Sequence, residues 1–347
     1  MDAQSNVLGF RTGRKYAITW CKKAENYSDV KALECYDEAI KRDPEFAEPW
    51  YGKGKIFADT PDLPENWSWH NRISPYITGI EPPPYPEVGP QTASKYRETL
   101  KMFDKATELD PKSVNIWFAK GNFYWKHDDD GKAINCLDEA IALDSKFEPA
   151  WFVKAQVLDF LGRLEEALKC YDKATALLPT DAKEKRYDEH GRYYFFDRWS
   201  GKADSLSNLG KHEEAIKCCD KALEMVGRDE GHHVFGQKGI TLAKLGKHKE
   251  AIKCYDEALK RADHGRDNAQ INLAKADALS ELGDSVSDET PFKYYSLAIR
   301  SYTDKLFADK NNPVEYGDWA EVVTNLQETC SKALNGFKKF DENSEDW

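Results

Sequence analysis

Gly246-Lys-His-Lys-Glu-Ala-Ile-Lys-Cys-Tyr-Asp-Glu-Ala-Leu-Lys260 has a near copy upstream, Gly210-Lys-His-Glu-Glu-Ala-Ile-Lys-Cys-Cys-Asp-Lys-Ala-Leu223. Weaker copies follow from it: Gly162-Arg-Leu-Glu-Glu-Ala-Leu-Lys-Cys-Tyr-Asp-Lys-Ala174, Gly131-Lys-Ala-Ile-Asn-Cys-Leu-Asp-Glu-Ala140, Lys31-Ala-Leu-Glu-Cys-Tyr-Asp-Glu-Ala39 and Leu100-Lys-Met-Phe-Asp-Lys-Ala106. Ala133 and Ala167 stand 34 residues apart, and Pro111 and Pro179 stand 68 apart, twice that interval. A fixed internal period outranks a domain count made from length, so the 347 residues read as one elongated array.

Within the period, Ala167, Tyr171, Ala174 and Pro179 are matched by Ala32, Tyr36, Ala39 and Pro44, by Phe103, Ala106 and Pro111, and by Ala251, Tyr255 and Ala258. Intervals of four and three residues put the first three of each set on one face of a helix. A leading helix precedes each of these, marked by Trp50, Gly54 and Phe57; Trp117, Gly121 and Tyr124; Trp151, Ala155 and Leu158; Trp199, Ala203 and Leu206; and Phe235, Gly239 and Leu242. Small residues on both helices let the pair approach closely, while the aromatic and aliphatic ones fill the gap to neighbouring helices. Gly162, Gly210, Gly246 and Gly283 are placed to end the first helices with positive φ, and Pro44, Pro111 and Pro179 to close the second ones.

These registers resemble the tetratricopeptide (TPR) repeat, a 34-residue helix pair carrying an aromatic, a small and another large residue, then Ala, aromatic, Ala and Pro. The resemblance implies an all-α fold: a right-handed superhelix, or α-solenoid, of about seven helix-turn-helix repeats. It implies further that an inner wall, built mainly from first helices, binds protein partners.

The repeats fall at about 13–46, 47–113, 114–147, 148–181, 196–229, 232–265 and 269–312 of an array spanning residues 1–340. In the first, Tyr16 takes the aromatic position but Trp20 stands where a small residue belongs, as in an amino-terminal cap. The second is interrupted by 33 extra residues, about 60–92, holding eight prolines (Pro61, Pro64, Pro75, Pro82, Pro83, Pro84, Pro86 and Pro90) together with Trp67, Trp69, Tyr76 and Tyr85. Such a segment cannot be a long helix, and it reads as an ordered loop packed on the solenoid, either as a flap or bound in the groove of its own chain. Fourteen extra residues at 182–195 form a second insert, and a short polar one falls around 284–290. An amphipathic helix at 313–338, with Trp319, Val322, Val323 and Leu326 on one face, is the expected carboxy-terminal cap, and an acidic tail at 341–347 is expected to be disordered.

With 50 basic and 61 acidic residues the formal charge is −11, which argues against a nucleic-acid or anionic-membrane surface. No run approaches the roughly 20 apolar residues of a membrane span, and the first ten residues lack the basic and apolar regions of a signal peptide, so a cytoplasmic protein is expected. Of eight cysteines, Cys35, Cys136, Cys170, Cys218 and Cys254 occupy one repeated position two residues before an Asp. Equivalent positions in stacked repeats lie beyond the roughly 7 Å Cα limit of a disulfide, so these read as small buried residues in a reducing compartment.

There is no Gly-rich phosphate loop, no H-E-x-x-H, no G-x-S-x-G and no cluster of metal ligands, so neither an enzyme nor a cofactor is expected. His212 and His248 share a repeat position beside the inter-helix turn and read as surface residues. On the TPR resemblance, the inner wall of repeats two to four presents Tyr51 and Lys55, then Phe118, Asn122, Trp125 and Lys126, then Phe152, Gln156 and Phe160. Repeats five to seven offer Ser200, Asp204, Asn208, Gly236, Ile240 and Asp277, which are smaller and more acidic. The basic pattern with which chaperone-docking TPR domains clamp a terminal carboxylate is not reproduced, since Phe118 stands where a Lys is needed. The function expected is a non-catalytic scaffold holding a peptide or protein partner in the aromatic half of the groove. The alternative is RNA binding through Arg186, Tyr187, Arg192, Tyr193 and Tyr194 in the second insert, where cations and rings interleave.

Overall fold

The computed structural model describes residues 3–27, 30–59, 90–178, 196–225, 231–261, 266–282, 291–307 and 327–332. Fourteen helices lie among these residues: α1 Ala3–Ala24, α2 Val30–Arg42, α3 Ala47–Asp59, α4 Pro90–Leu109, α5 Val114–Lys126, α6 Asp130–Leu143, α7 Glu148–Phe160, α8 Leu164–Ala176, α9 Phe196–Asn208, α10 His212–Met225, α11 His232–Lys244, α12 His248–Arg261, α13 Arg266–Leu282 and α14 Pro291–Phe307. The all-α helix-hairpin architecture read from the sequence is therefore present. The chain forms two compact units, the first carrying α1 to α7 and the second α8 to α14. The insert at 182–195, most of the cap at 313–338, the tail at 341–347, Gly283 and Pro179 fall outside the described residues.

The buried face of the hairpin helices carries small side chains. Ala133 and Ala140 of α6, Ala150 and Ala155 of α7, Ala167 and Ala174 of α8, and Ala251 and Ala258 of α12 are all fully buried. Between the alanines of α8 and α12 the rings of Tyr171 and Tyr255 are buried as well. Gly239 on α11 is needed for the Tyr255 ring, because a Cβ there would lie 2.5 Å from it. All eight cysteines carry free thiols, six of them buried, and burial pushes Cys21 up to about 12 and Cys136 up to about 11, so both stay protonated.

The turns have a chemistry of their own. Gly162, Gly210 and Gly246 take φ of 71°, 75° and 72°, the left-handed conformation that ends the first helix. In the third repeat that place belongs to Asp128, with φ 63°, whereas Gly131 lies inside α6. Between repeats, the carboxylates of Asp43, Asp110 and Asp144 accept from the backbone N–H of Glu45, Lys112 and Lys146 at 3.1, 3.3 and 2.9 Å. Trp50, Trp117 and Trp151 each donate Nε1–H to the carbonyl six residues back, at 3.0, 2.9 and 3.0 Å, which ties the start of α3, α5 and α7 to that turn.

Two expectations are revised. In α1 the buried stripe is Ala17, Cys21 and Ala24, while Tyr16 is 59% exposed and Trp20 is half-buried under the Lys23 ammonium. Turning the helix by one residue lets small side chains face Ala32, Cys35 and Ala39 of α2; two large rings there would hold the pair apart. At the other boundary, residues 90–92 of the expected insert are the first turn of α4, begun by Pro90, whose missing N–H costs nothing at that place. Residues 60–89 lie outside those described.

Successive repeats are also joined by charge. Lys53 pairs with Asp37 at 2.5 Å, Lys120 with Asp104 at 2.7 Å, Lys154 with Asp138, Lys202 with Asp172 at 2.6 Å, Lys238 with Asp220 at 2.6 Å and Lys275 with Asp256 at 2.5 Å. In every case the lysine stands on a first helix and the aspartate on the second helix of the repeat before it.

Three glycine substitutions separate the forces at work. Gly239→Ala drives a methyl into the Tyr255 ring and is expected to cost about 1 to 3 kcal/mol. Gly246→Ala meets open space but keeps a positive φ, and should cost about 1 kcal/mol. Gly131→Ala meets neither obstacle and should gain a few tenths of a kcal/mol, on the order of 0.5, by stiffening the unfolded chain and favouring the helix. Urea denaturation of the three variants checks this order; equal losses at Gly131 and Gly239 would contradict it.

Candidate functional site

The first helices of the amino-terminal unit lie side by side, α3 next to α5 and α5 next to α7. Each opens with the tryptophan bonded to its turn, so residues at the same distance from that tryptophan line up across the three helices. One place after it stand Tyr51, Phe118 and Phe152; five places after it stand Lys55, Asn122 and Gln156; nine places after it stand Asp59, Lys126 and Phe160. Four-residue spacing keeps the three rows on one stripe of each helix. Eight of the nine residues expected in the groove fall in these rows.

The exception is Trp125, one residue and about a third of a turn out of the stripe. It is 8% exposed and packs with Tyr124, Ala133, Cys136, Leu137 and Val157 in the core.

The rings of the first row are largely withdrawn from solvent. Phe152 is 9% exposed, and Phe118 is half-buried with its ring edge-on to Phe147, centroids 5.3 Å apart. Tyr51 is half-buried, with the Lys55 ammonium 5.7 Å from its ring centre. Burial first, and then the charge of Glu48, push the Tyr51 hydroxyl up to about 12, so it remains a neutral phenol at physiological pH.

The second row is polar. Lys55 is exposed, and Asn122 and Gln156 are half-buried, with carboxamides that make no hydrogen bond to any described residue. In the third row, Lys126 pairs with Asp59 at 3.4 Å, so charge is neutralised at that edge. Asp59 shares this row, and sequence reading did not single it out. Its signal was its place, nine residues after Trp50 as Lys126 is nine after Trp117.

In the second unit, Ser200 and Gly236 are buried, Asp204 is half-buried and Ile240 is exposed on the first helices α9 and α11. Asp277 on α13 accepts from the Tyr295 hydroxyl at 2.8 Å and from Lys332 Nζ at 2.9 Å. Lys332 belongs to the helical run 327–332, the described part of the expected cap, in which Thr329 is fully buried. Asp277 is thus engaged by its own chain.

Arg186, Tyr187, Arg192, Tyr193 and Tyr194 lie outside the described residues. Among the described residues no group of three His, Cys, Asp or Glu side chains could hold a metal ion, and no helix is long and apolar enough to cross a membrane.

Sequence profiles of the tetratricopeptide repeat match residues 31–72, 114–147, 149–181, 199–262 and 237–294, together more than half of the chain. No curated protein sequence matches. Among solved structures, the chain is similar to PilW, described as a widely conserved type IV pilus biogenesis factor, with a TM-score of 0.50 and 16% identity over 69% of this chain and 93% of that one. It is also similar to the APC/C hetero-tetramer Cut9-Hcn1, with a TM-score of 0.51 and 15% identity over 94% of this chain and 54% of that one. Identities this low speak to the fold alone. With the repeat period, the helix hairpins and these matches in agreement, the chain belongs to the tetratricopeptide repeat family.

Proposed function

We propose that this protein is a non-catalytic scaffold that holds an extended segment of a protein partner against the wall formed by α3, α5 and α7. Its family serves in general for protein–protein contact. The observation that carries the reading is the pair of unpartnered carboxamides at Asn122 and Gln156. Their amide atoms are not sealed from water, and an extended backbone laid along the wall can take the water's place, offering each a donor and an acceptor.

The covered rings of Phe118 and Phe152 fit this reading better as a shaped apolar border than as deep anchors. Contact comes from their remaining exposed edges, from Tyr51 and from Phe160. Lys55, and Lys126 once released from Asp59, would favour a carboxylate-bearing segment at the flanks. The free, buried thiols accord with work in a reducing cytoplasm.

Peptides selected by display against the full chain supply the probe. Replacing Asn122 and Gln156 together by Ala should weaken the selected peptides at least tenfold while the far-UV circular dichroism stays unchanged, because neither amide bonds a described residue. Unaltered affinity in this variant would move the site elsewhere. Phe118→Ala with Phe152→Ala is a poorer test, since truncating rings packed on their own unit also costs stability.

A further inference from the structure

Six lysine–aspartate pairs recur at one place, the boundary between a repeat and the one before it, across both units. They differ from the ion pairs within single helices, such as Lys41 with Glu38 or Lys260 with Glu257, where the lysine lies open to water. The five lysines from Lys53 to Lys238 keep only 12 to 23% of their side chains exposed, and Lys275 keeps 1%. Aromatic rings close over several of them: Lys120 lies 5.4 Å from the centre of Trp117, Lys202 5.4 Å from Trp199 and Lys275 4.0 Å from Tyr294.

An ammonium so far withdrawn from water requires a counter-charge, and here the preceding repeat holds it. At Lys238, burial pulls the ammonium down, but the hydrogen bond and charge of Asp220 override it and hold the pKa above the ordinary lysine range. Apolar packing between hairpins sets how closely they approach, and a half-buried ammonium adds a requirement that a carboxylate stand opposite it. Stacked repeats interact only with their neighbours, so whatever is lost when a boundary opens determines whether repeats unfold together or singly.

We propose that this ladder is the device that couples the repeats into cooperative units, each rung locking one hairpin to its predecessor in a single register. Cutting a rung lets the hairpin beyond it open by itself. The rung Asp37–Lys53 is the most informative because it joins the terminal hairpin α1–α2 to the rest, and α1 carries neither member of the pair.

Hydrogen exchange of the full chain, read by mass spectrometry, tests this with Asp37→Asn. Amides of residues 14–24 in α1 should exchange at least about tenfold faster, the scale expected for losing a charge-assisted bond, while those of α9 to α12 keep their rates. Glu38→Gln, which removes an exposed pair inside the same helix, should leave α1 unchanged. The exchanged pair Asp37→Lys with Lys53→Asp should restore the original rates to within about threefold. The proposal is overturned if α1 in Asp37→Asn keeps its original rate, if Glu38→Gln accelerates it equally, or if the exchanged pair exchanges as fast as Asp37→Asn.

Discussion

A ring set against bare backbone fixes the closest approach in the hairpins α3–α4 and α11–α12. A Cβ on Gly54 would come within 2.9 Å of Phe103, and one on Gly239 within 2.5 Å of Tyr255, each ring reaching across its own hairpin. The same lock joins repeats to their predecessors, where a Cβ on Gly52 would lie 2.3 Å from Tyr36 and one on Gly201 2.6 Å from Tyr171. Glycine on one helix and an aromatic on the next therefore set how closely first and second helices approach. Once that separation is fixed, the lysine of the first helix comes within reach of the aspartate behind it, and the apolar lock and the charged rung hold the same boundary. The wall in turn inherits its spacing from these contacts, since α3, α5 and α7 each carry a rung lysine, Lys53, Lys120 and Lys154, beside the wall residues.

Most of the architecture was legible because identical physics repeats every 34 residues. The Ala–Tyr–Ala faces of α8 and α12, the positive-φ glycines 162, 210 and 246, and the buried Cys35, Cys136, Cys170 and Cys218 each stand where periodicity put them, whereas Cys254 at the same place is only half-buried. The period misled where one repeat departs from the others. In α1 the aromatic Tyr16 marked a register, yet small side chains at Ala17 and Cys21 decided which face turns inward. In the third repeat no glycine marks the turn, and Asp128 occupies the left-handed position, because a short polar side chain tolerates that conformation without showing it in the sequence.

The ladder illustrates another limit. A lysine three residues after Trp50, Trp117, Trp151, Trp199 and Phe235, and an aspartate beside each repeated Tyr, Cys, Phe or Leu, are both visible in the sequence. Either taken alone looks like a solvated charge on a helix surface. Only the stacking of one repeat on the next brings the two together, and that step is tertiary. The wall shows the same division: the equivalence of Lys55, Asn122 and Gln156 follows from counting, whereas the burial of Trp125 and the partial covering of Phe118 by Phe147 required the packed helices.

The proposed scaffold function requires a partner segment lying across α3, α5 and α7. A crystal structure of the full chain with a display-selected peptide tests this most directly. The prediction is an extended peptide backbone within hydrogen-bond distance of the Asn122 and Gln156 carboxamides, between the exposed edges of Tyr51, Phe118, Phe152 and Phe160. A peptide seated on the second unit, or one that leaves both carboxamides unbonded, would contradict it.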